Sequence, residues 1–304
     1  MENPGWAGVY PAVTTKFADS GLIDVDAIEK HLDWQIRSGV HGLIVVGSLG
    51  ENQALASDEK QLVIKTAVAT SGGRVPVLAT AAENSTYAAC RFVEDSGKNG
   101  VDGFMVLPPM VYPCDERETI RYFRTVAQAS EWPIMIYNNP VSYKTDVSPE
   151  MFADLAEEEK FVAIKESSGI LSRITDIVNL TGDRYQIFVG VDTIAFESLL
   201  LGAVGWVAGL VCAFPQETVE IYRLAMNGSI DEARKLYRWF MPLLHLDVST
   251  KLVQNIKLVE ALVSDGSETV RAPRLPLVGL ERERVESIVR QACANRPHLI
   301  ADEL

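Results

Sequence analysis

Four cysteines stand in the 304 residues, Cys90, Cys114, Cys212 and Cys293, and no two approach the C-x-x-C spacing. Neither a zinc knuckle nor a disulfide framework is therefore signalled, and free thiols in a reducing compartment are expected. Basic residues are also scarce: 28 lysines and arginines face 41 aspartates and glutamates, a formal charge of -13. Such a surface repels phosphate backbones and anionic membranes, so neither nucleic acid nor a membrane is expected as partner. No apolar run reaches the length of a membrane span, and the first residues lack a basic region followed by an apolar one. A soluble, cytoplasmic protein is expected. No G-x-G-x-x-G sits at the first strand-to-helix turn, which leaves a doubly wound dinucleotide fold without its phosphate loop.

What the chain does have is rhythm. Short β-branched or aromatic runs begin near Gly8, Gly42, Val75, Gly103, Pro133, Phe161, Tyr185 and Gly205, each followed by a longer amphipathic segment. Eight such units at intervals of roughly 20 to 35 residues predict a (β/α)₈ TIM barrel. The intervening helices carry start signals such as Asp24 before Ile28 and Leu32, or Ser57-Asp-Glu-Lys before Leu62. After Phe214 the strand signal stops. Helical patterns over 217–226, 230–246, 251–263 and 281–294, with a turn-rich break at 264–279, predict a barrel over residues 1–226 and a C-terminal helical extension over 227–304. Its apolar positions Leu252, Ile256, Val259 and Val263 are expected to cover the barrel or a second subunit.

Barrel enzymes place their chemistry at the C-terminal ends of the strands. Lys165 ends the run Phe161-Val-Ala-Ile-Lys, and strict strand alternation puts Phe161, Ala163 and Lys165 on one face. A lysine there is either a desolvated amine that attacks a carbonyl or a strand-end cation that snorkels or pairs with Glu166. Attack requires the neutral amine, which at a reference pKa of about 10.4 is roughly one molecule in 2,500 at pH 7. Burial must lower that pKa by about three units, within the known range of desolvation. Tyr137 ends the preceding strand. With neighbouring strands about 5 Å apart, its hydroxyl can reach the lysine or a bound substrate and move protons; the alternative is core packing with a satisfied hydroxyl. The second strand ends Gly47-Ser48-Leu49-Gly50-Glu51, a turn whose N–H groups and Ser48 hydroxyl can cradle a carboxylate, though glycine at such a turn is also ordinary geometry.

These motifs resemble the dihydrodipicolinate synthase and N-acetylneuraminate lyase family. The marks are Gly47-Ser-Leu-Gly-Glu51, Tyr137-Asn-Asn-Pro140 and Ala163-Ile-Lys-Glu-Ser-Ser168, and the resemblance runs over nearly the whole chain. It implies a Schiff-base barrel, usually tetrameric, without metal or cofactor. Lys165 would form the imine and Tyr137 relay protons; Gly47, Ser48 and the Leu49 backbone would receive the substrate carboxylate, and the Val207 backbone would line the pocket. Tyr112 is a candidate relay tyrosine.

Departures from the family pattern bear on the substrate. Leu49 replaces a second relay threonine, and Ser142 stands where synthases carry an arginine for aspartate semialdehyde. The stretches Gly47–Gln53, Tyr137–Tyr143 and Arg271-Ala-Pro-Arg-Leu-Pro276 are most similar to the 1-pyrroline-4-hydroxy-2-carboxylate deaminases of hydroxyproline breakdown. The expected substrate is thus a small oxo acid or cyclic imino acid. The family alternatives are a 2-keto-3-deoxy sugar acid dehydratase or aldolase, an N-acetylneuraminate lyase and a dihydrodipicolinate synthase; a non-catalytic binding barrel is the alternative of another class.

Overall fold

The computed structural model describes residues 4–109 and 111–299. The expected barrel and extension limits at 1–3 and 300–304 lie outside the described residues. Eight parallel strands run β1 Gly8–Pro11, β2 Leu43–Val45, β3 Val77–Ala81, β4 Gly103–Val106, β5 Ile134–Asn138, β6 Phe161–Glu166, β7 Gln186–Val189 and β8 Gly205–Ala208. Each starts within two residues of its apolar run in the sequence. The order is β1-β8-β7-β6-β5-β4-β3-β2. The remaining seam, between β1 and β2, is closed by the Ala12–Ile44 bridge and a 2.9 Å bond from Val13 N to Ile44 O. The molecule is a (β/α)₈ barrel.

The helices are α1 Val25–Arg37, α2 Ser57–Ser71, α3 Thr86–Gly97, α4 Glu116–Ala129, α5 Pro140–Tyr143, α6 Pro149–Leu155, α7 Arg173–Thr181, α8 Ala195–Leu200 and α9 Pro215–Met226. Three more form the C-terminal helices: α10 Ile230–Leu244, α11 Leu252–Val263 and α12 Gly279–Ala294. Their starts reflect local chemistry. Asp24, Ser85, Asp115 and Ser148 each accept from a backbone N–H three residues on, satisfying donors that a first helical turn leaves free.

Two apolar layers result. Phe104, Phe123, Phe161 and Ile164 join the layer between strands and helices, whereas Tyr10, Ile44, Leu78, Met105, Met135, Ala163, Phe188 and Val207 fill the barrel interior. Alternation fails at one point. Phe161 packs on Phe123 of α4, outside the barrel, while Ala163 lies inside. The reason is a register shift: Ile134 pairs with Phe161 but the next residue, Met135, pairs with Ala163, leaving Val162 as an extra residue. Such a bulge moves side chains to the other face and re-aims the rest of the strand.

Helix α10 packs on α8 and α9, and α11 covers the turn after β8, with Ile256 and Val259 fully buried and Leu252 and Val263 partly so. The apolar face of α11 thus covers this chain's own barrel. Because the C-terminal helices share one core with α8 and α9, the division at 226 and 227 is proposed as a change of architecture within one folding unit. All four cysteines are free thiols. No helix among the described residues is long and apolar enough to cross a membrane.

Candidate active site

Lys165 and Tyr137 face each other across β6 and β5 as register partners. The lysine is 6% exposed, and its Nζ lies 4.2 Å from the centre of the Tyr137 ring. Burial pushes its pKa below the ordinary lysine value, against the opposing pull of Tyr143, Asp247 and Asp192. The amine therefore moves in the direction that imine formation needs. At the end of β7, Gly190 makes room for it: a Cβ there would fall 2.1 Å from Ser167 Oγ and 2.5 Å from Lys165 Cε.

The Tyr137 hydroxyl accepts from Asn139 Nδ2 at 3.0 Å. Burial raises its pKa, and the Asn139 and Ser167 side chains partly offset this. Pro140 at the first position of α5 and the Asn139 cap, accepting from Ser142 N at 2.9 Å, turn the chain sharply. That one-turn helix brings Tyr143 back over Tyr137, ring centres 5.7 Å apart and nearly perpendicular. The Tyr143 hydroxyl meets Ser48 Oγ in a short hydrogen bond. A chain of hydroxyls thus runs from the β2 turn to the phenol beside Lys165.

Ser48 sits in a tightly wound turn. Glu51 N donates to Ser48 O and Asn52 N to Gly47 O, both at 3.1 Å, and Asn52 Nδ2 ties back to Val46 O at 2.7 Å. Val46 and Glu51 both take left-handed backbone angles, which L residues adopt only under constraint. The constraint on Glu51 comes from α11 and the segment that follows it. Its buried carboxylate pairs with Lys257 Nζ at 2.6 Å and accepts from Arg271 N at 3.0 Å, and the Arg271 guanidinium grips Glu59. The N–H groups of Ser48 and Leu49 have no partner among the described residues, which suits a carboxylate cradle. The Leu49 side chain points away, 4% exposed in the layer between strands and helices.

Val207 lies in the barrel interior on β8, opposite Tyr10. Tyr112 is not brought to the site within this chain: it is 52% exposed and donates to Glu118 at 2.9 Å, a bond that pushes its pKa up to about 12. Ser142 is exposed on α5.

Three residues of the pocket are not singled out by sequence pattern. Tyr143 closes the Tyr137–Tyr143 stretch, but only the α5 turn gives it a place. Asp192 comes just after the end of β7, where the strand-end rule would have found it. Its carboxylate accepts from Trp206 Nε1 at 2.8 Å, Gly209 N at 3.2 Å and Leu210 N at 3.0 Å. Asp247 comes after α10, and no sequence signal connects it to a strand end; a Cβ on Gly209 would fall 2.2 Å from its Oδ1. These two carboxyls and Tyr143 are the ionisable groups that act on Lys165.

Elsewhere among the described residues, His31, Cys212 and Glu260 bring one metal-ligand atom each within 4.8 Å of one another, all buried. Glu260 is already engaged by Lys16 at 2.7 Å and Thr14 at 2.9 Å, and burial pushes the Cys212 thiol up, away from the thiolate a metal requires. Glu260 thereby ties the segment after β1 to α11 through an ionic network.

Comparison with known proteins agrees with the fold and with the family that the sequence resembles. Residues 6–292 match the dihydrodipicolinate synthetase family. The 4-hydroxy-tetrahydrodipicolinate synthase of Pelobacter propionicus is 30% identical over 286 residues, 93% of this chain and 97% of that protein. Its counterpart in Kosmotoga olearia is 31% identical over 289 residues, 94% and 96% of the two chains. The crystal structure of dihydrodipicolinate synthase from Aquifex aeolicus superposes with a TM-score of 0.90 at 27% identity, covering 94% of this chain and 98% of that one.

Proposed function

The chain belongs to the dihydrodipicolinate synthetase family, and from that footing we propose that it is a class I Schiff-base lyase acting as a 1-pyrroline-4-hydroxy-2-carboxylate deaminase. Lys165 adds to the cyclic C=N, and ring opening leaves a lysine imine next to the substrate carboxylate, which the Ser48 and Leu49 turn receives. Tyr137 takes the C3 proton with the imine as electron sink, and the 4-hydroxyl departs. Rearrangement and hydrolysis at C5 release ammonia and, after hydrolysis of the lysine imine, 2-oxoglutarate semialdehyde. One water is consumed overall. A cytoplasmic homotetramer is part of the same reading.

The observation that carries the substrate choice is the missing cation: the position from which an arginine would be expected holds Ser142, exposed on α5. The ionisable groups acting on Lys165 are Tyr143, Asp247 and Asp192, and no cation is among them. A substrate with a second carboxylate would lack the cation it needs; losing one charge-assisted contact of that kind typically costs about 1.5 to 3 kcal/mol. A substrate with one carboxylate and a hydroxyl needs no such cation.

The relatives' names favour a second reading, condensation of pyruvate with aspartate semialdehyde as in 4-hydroxy-tetrahydrodipicolinate synthase. Steady-state assays of both reactions on the same preparation separate the two. Ammonia release well above condensation is expected; dominant condensation, or pyruvate appearing from a sugar-acid panel, overturns the deaminase reading.

A further inference from the structure

Two carboxyls flank Gly209 just beyond β8. Asp192, fully buried, approaches from the end of β7 and binds the Gly209 N–H. Asp247 comes from the turn after α10, with Oδ1 against the Gly209 Cα. Gly209 has to be glycine for this to happen, because any side chain would occupy the space of the Asp247 carboxyl. The Asp247 carboxyl is also close enough to Lys165 and Tyr137 for its charge to act on both.

The two acids are not equivalent. Burial pushes the Asp192 pKa up, but both its oxygens are occupied by N–H donors, which favours its ionised form over that of Asp247. No hydrogen bond to the Asp247 side chain is found among the described residues, in contrast to Asp192, and the residue is half-buried. Two adjacent carboxyls in a poorly solvated site cannot both ionise readily, so one proton is retained. Hydrogen bonding assigns that proton to Asp247. Burial and the neighbouring Asp192 both push the Asp247 pKa well above the ordinary aspartate value, with Lys165 opposing.

We propose that Asp247 is the general acid of this pocket, protonating the leaving hydroxyl of a substrate held as an imine on Lys165. This deepens the reading given under Proposed function and rests on it for the identity of the substrate. Loss of the C3 proton leaves a neutral enamine on Lys165. The enamine electron pair forms C3=C4 while the C4–O bond breaks, and the Asp247 proton joins the departing oxygen to make water. The nitrogen becomes a protonated iminium and Asp247 a carboxylate, so a cation and an anion are created together within the pocket. Their mutual attraction stabilises the transition state relative to a pocket with a neutral side chain at 247.

The test compares 4-hydroxy and 4-fluoro 2-oxo acids, because fluoride leaves without a proton whereas hydroxide does not. On the unaltered protein, elimination of water should fall as pH rises through the Asp247 pKa, while fluoride release should lack that alkaline fall. Asp247→Asn should lower water elimination by about 10² or more, leave fluoride release within about threefold, and retain borohydride trapping of pyruvate on Lys165. Equal losses for both leaving groups, or water elimination within about twofold of the parent, overturn the proposal. If Asp247→Asn traps no pyruvate and so has lost its fold, the two pH profiles of the parent decide alone, and an alkaline fall common to both overturns it. Absence of ammonia release by the parent from 1-pyrroline-4-hydroxy-2-carboxylate defeats the deaminase reading, while the leaving-group comparison still judges Asp247.

Discussion

Tyr137 and Lys165 are direct register partners on β5 and β6, with the lysine nitrogen 4.2 Å from the centre of the phenol ring. A bulge between the Ile134–Phe161 and Met135–Ala163 pairs of the same two strands, where Val162 is the extra residue, sets which β6 side chains face inward. The inward face of β6 thus depends on a backbone irregularity that alternation alone does not contain.

Borohydride reduction in the presence of pyruvate should attach a stable adduct to Lys165. Imine formation needs the neutral amine, and the folded lysine is shifted below the ordinary value. The trapping rate should therefore rise with pH and level off at a lower pH than for an exposed lysine of reference pKa about 10.4. Peptide mapping that finds the adduct on another lysine removes the Schiff-base assignment.

Tyr137→Phe should fold, and should still trap pyruvate, with turnover reduced by about 10² or more. Turnover within about twofold of the parent would return Tyr137 to a packing role. Tyr143→Phe removes the partner of Ser48 Oγ while leaving the Tyr137 hydroxyl in place. Its turnover should fall as well, with the imine still forming. Unchanged turnover would take Tyr143 out of the hydroxyl chain.

Gly190→Ala should slow trapping by about 10², the usual scale for displacing a reacting group by about 1 Å. The added methyl would overlap both Ser167 Oγ and Lys165 Cε. Circular dichroism should remain that of the parent. Trapping at the parental rate would mean that Lys165 has another way into the pocket.

Lys257→Met breaks a fully buried ion pair with Glu51. Removal of one partner from such a pair typically costs about 3 to 5 kcal/mol, because the other charge is left buried. Urea denaturation should show a loss on that scale, and adding Glu51→Leu should recover part of it. A loss under about 1 kcal/mol would show that Arg271 and Arg274 suffice to hold Glu51.

Much of this protein is written locally. Eight apolar runs with amphipathic segments between them are enough to determine a barrel, because strand and helix periodicities bury their faces in only a few ways. The rule that barrel chemistry sits at strand ends then singles out Lys165, Tyr137 and Ser48, and the structure brings these three to one end of one barrel. Other features required the folded chain. Phe161 faces outward because one extra residue in β6 reverses the alternation. Tyr143 reaches Ser48 because a single proline-started turn folds it over Tyr137, whereas Tyr112, a comparable tyrosine in sequence terms, is exposed on Glu118. Asp247 lies 82 positions after Lys165, on no strand, and enters the pocket only because α10 docks on α8 and α9 and delivers its C-terminal turn to Gly209. Periodicity is a property of neighbouring residues, but the charge around Lys165 is summed over elements that meet only by packing.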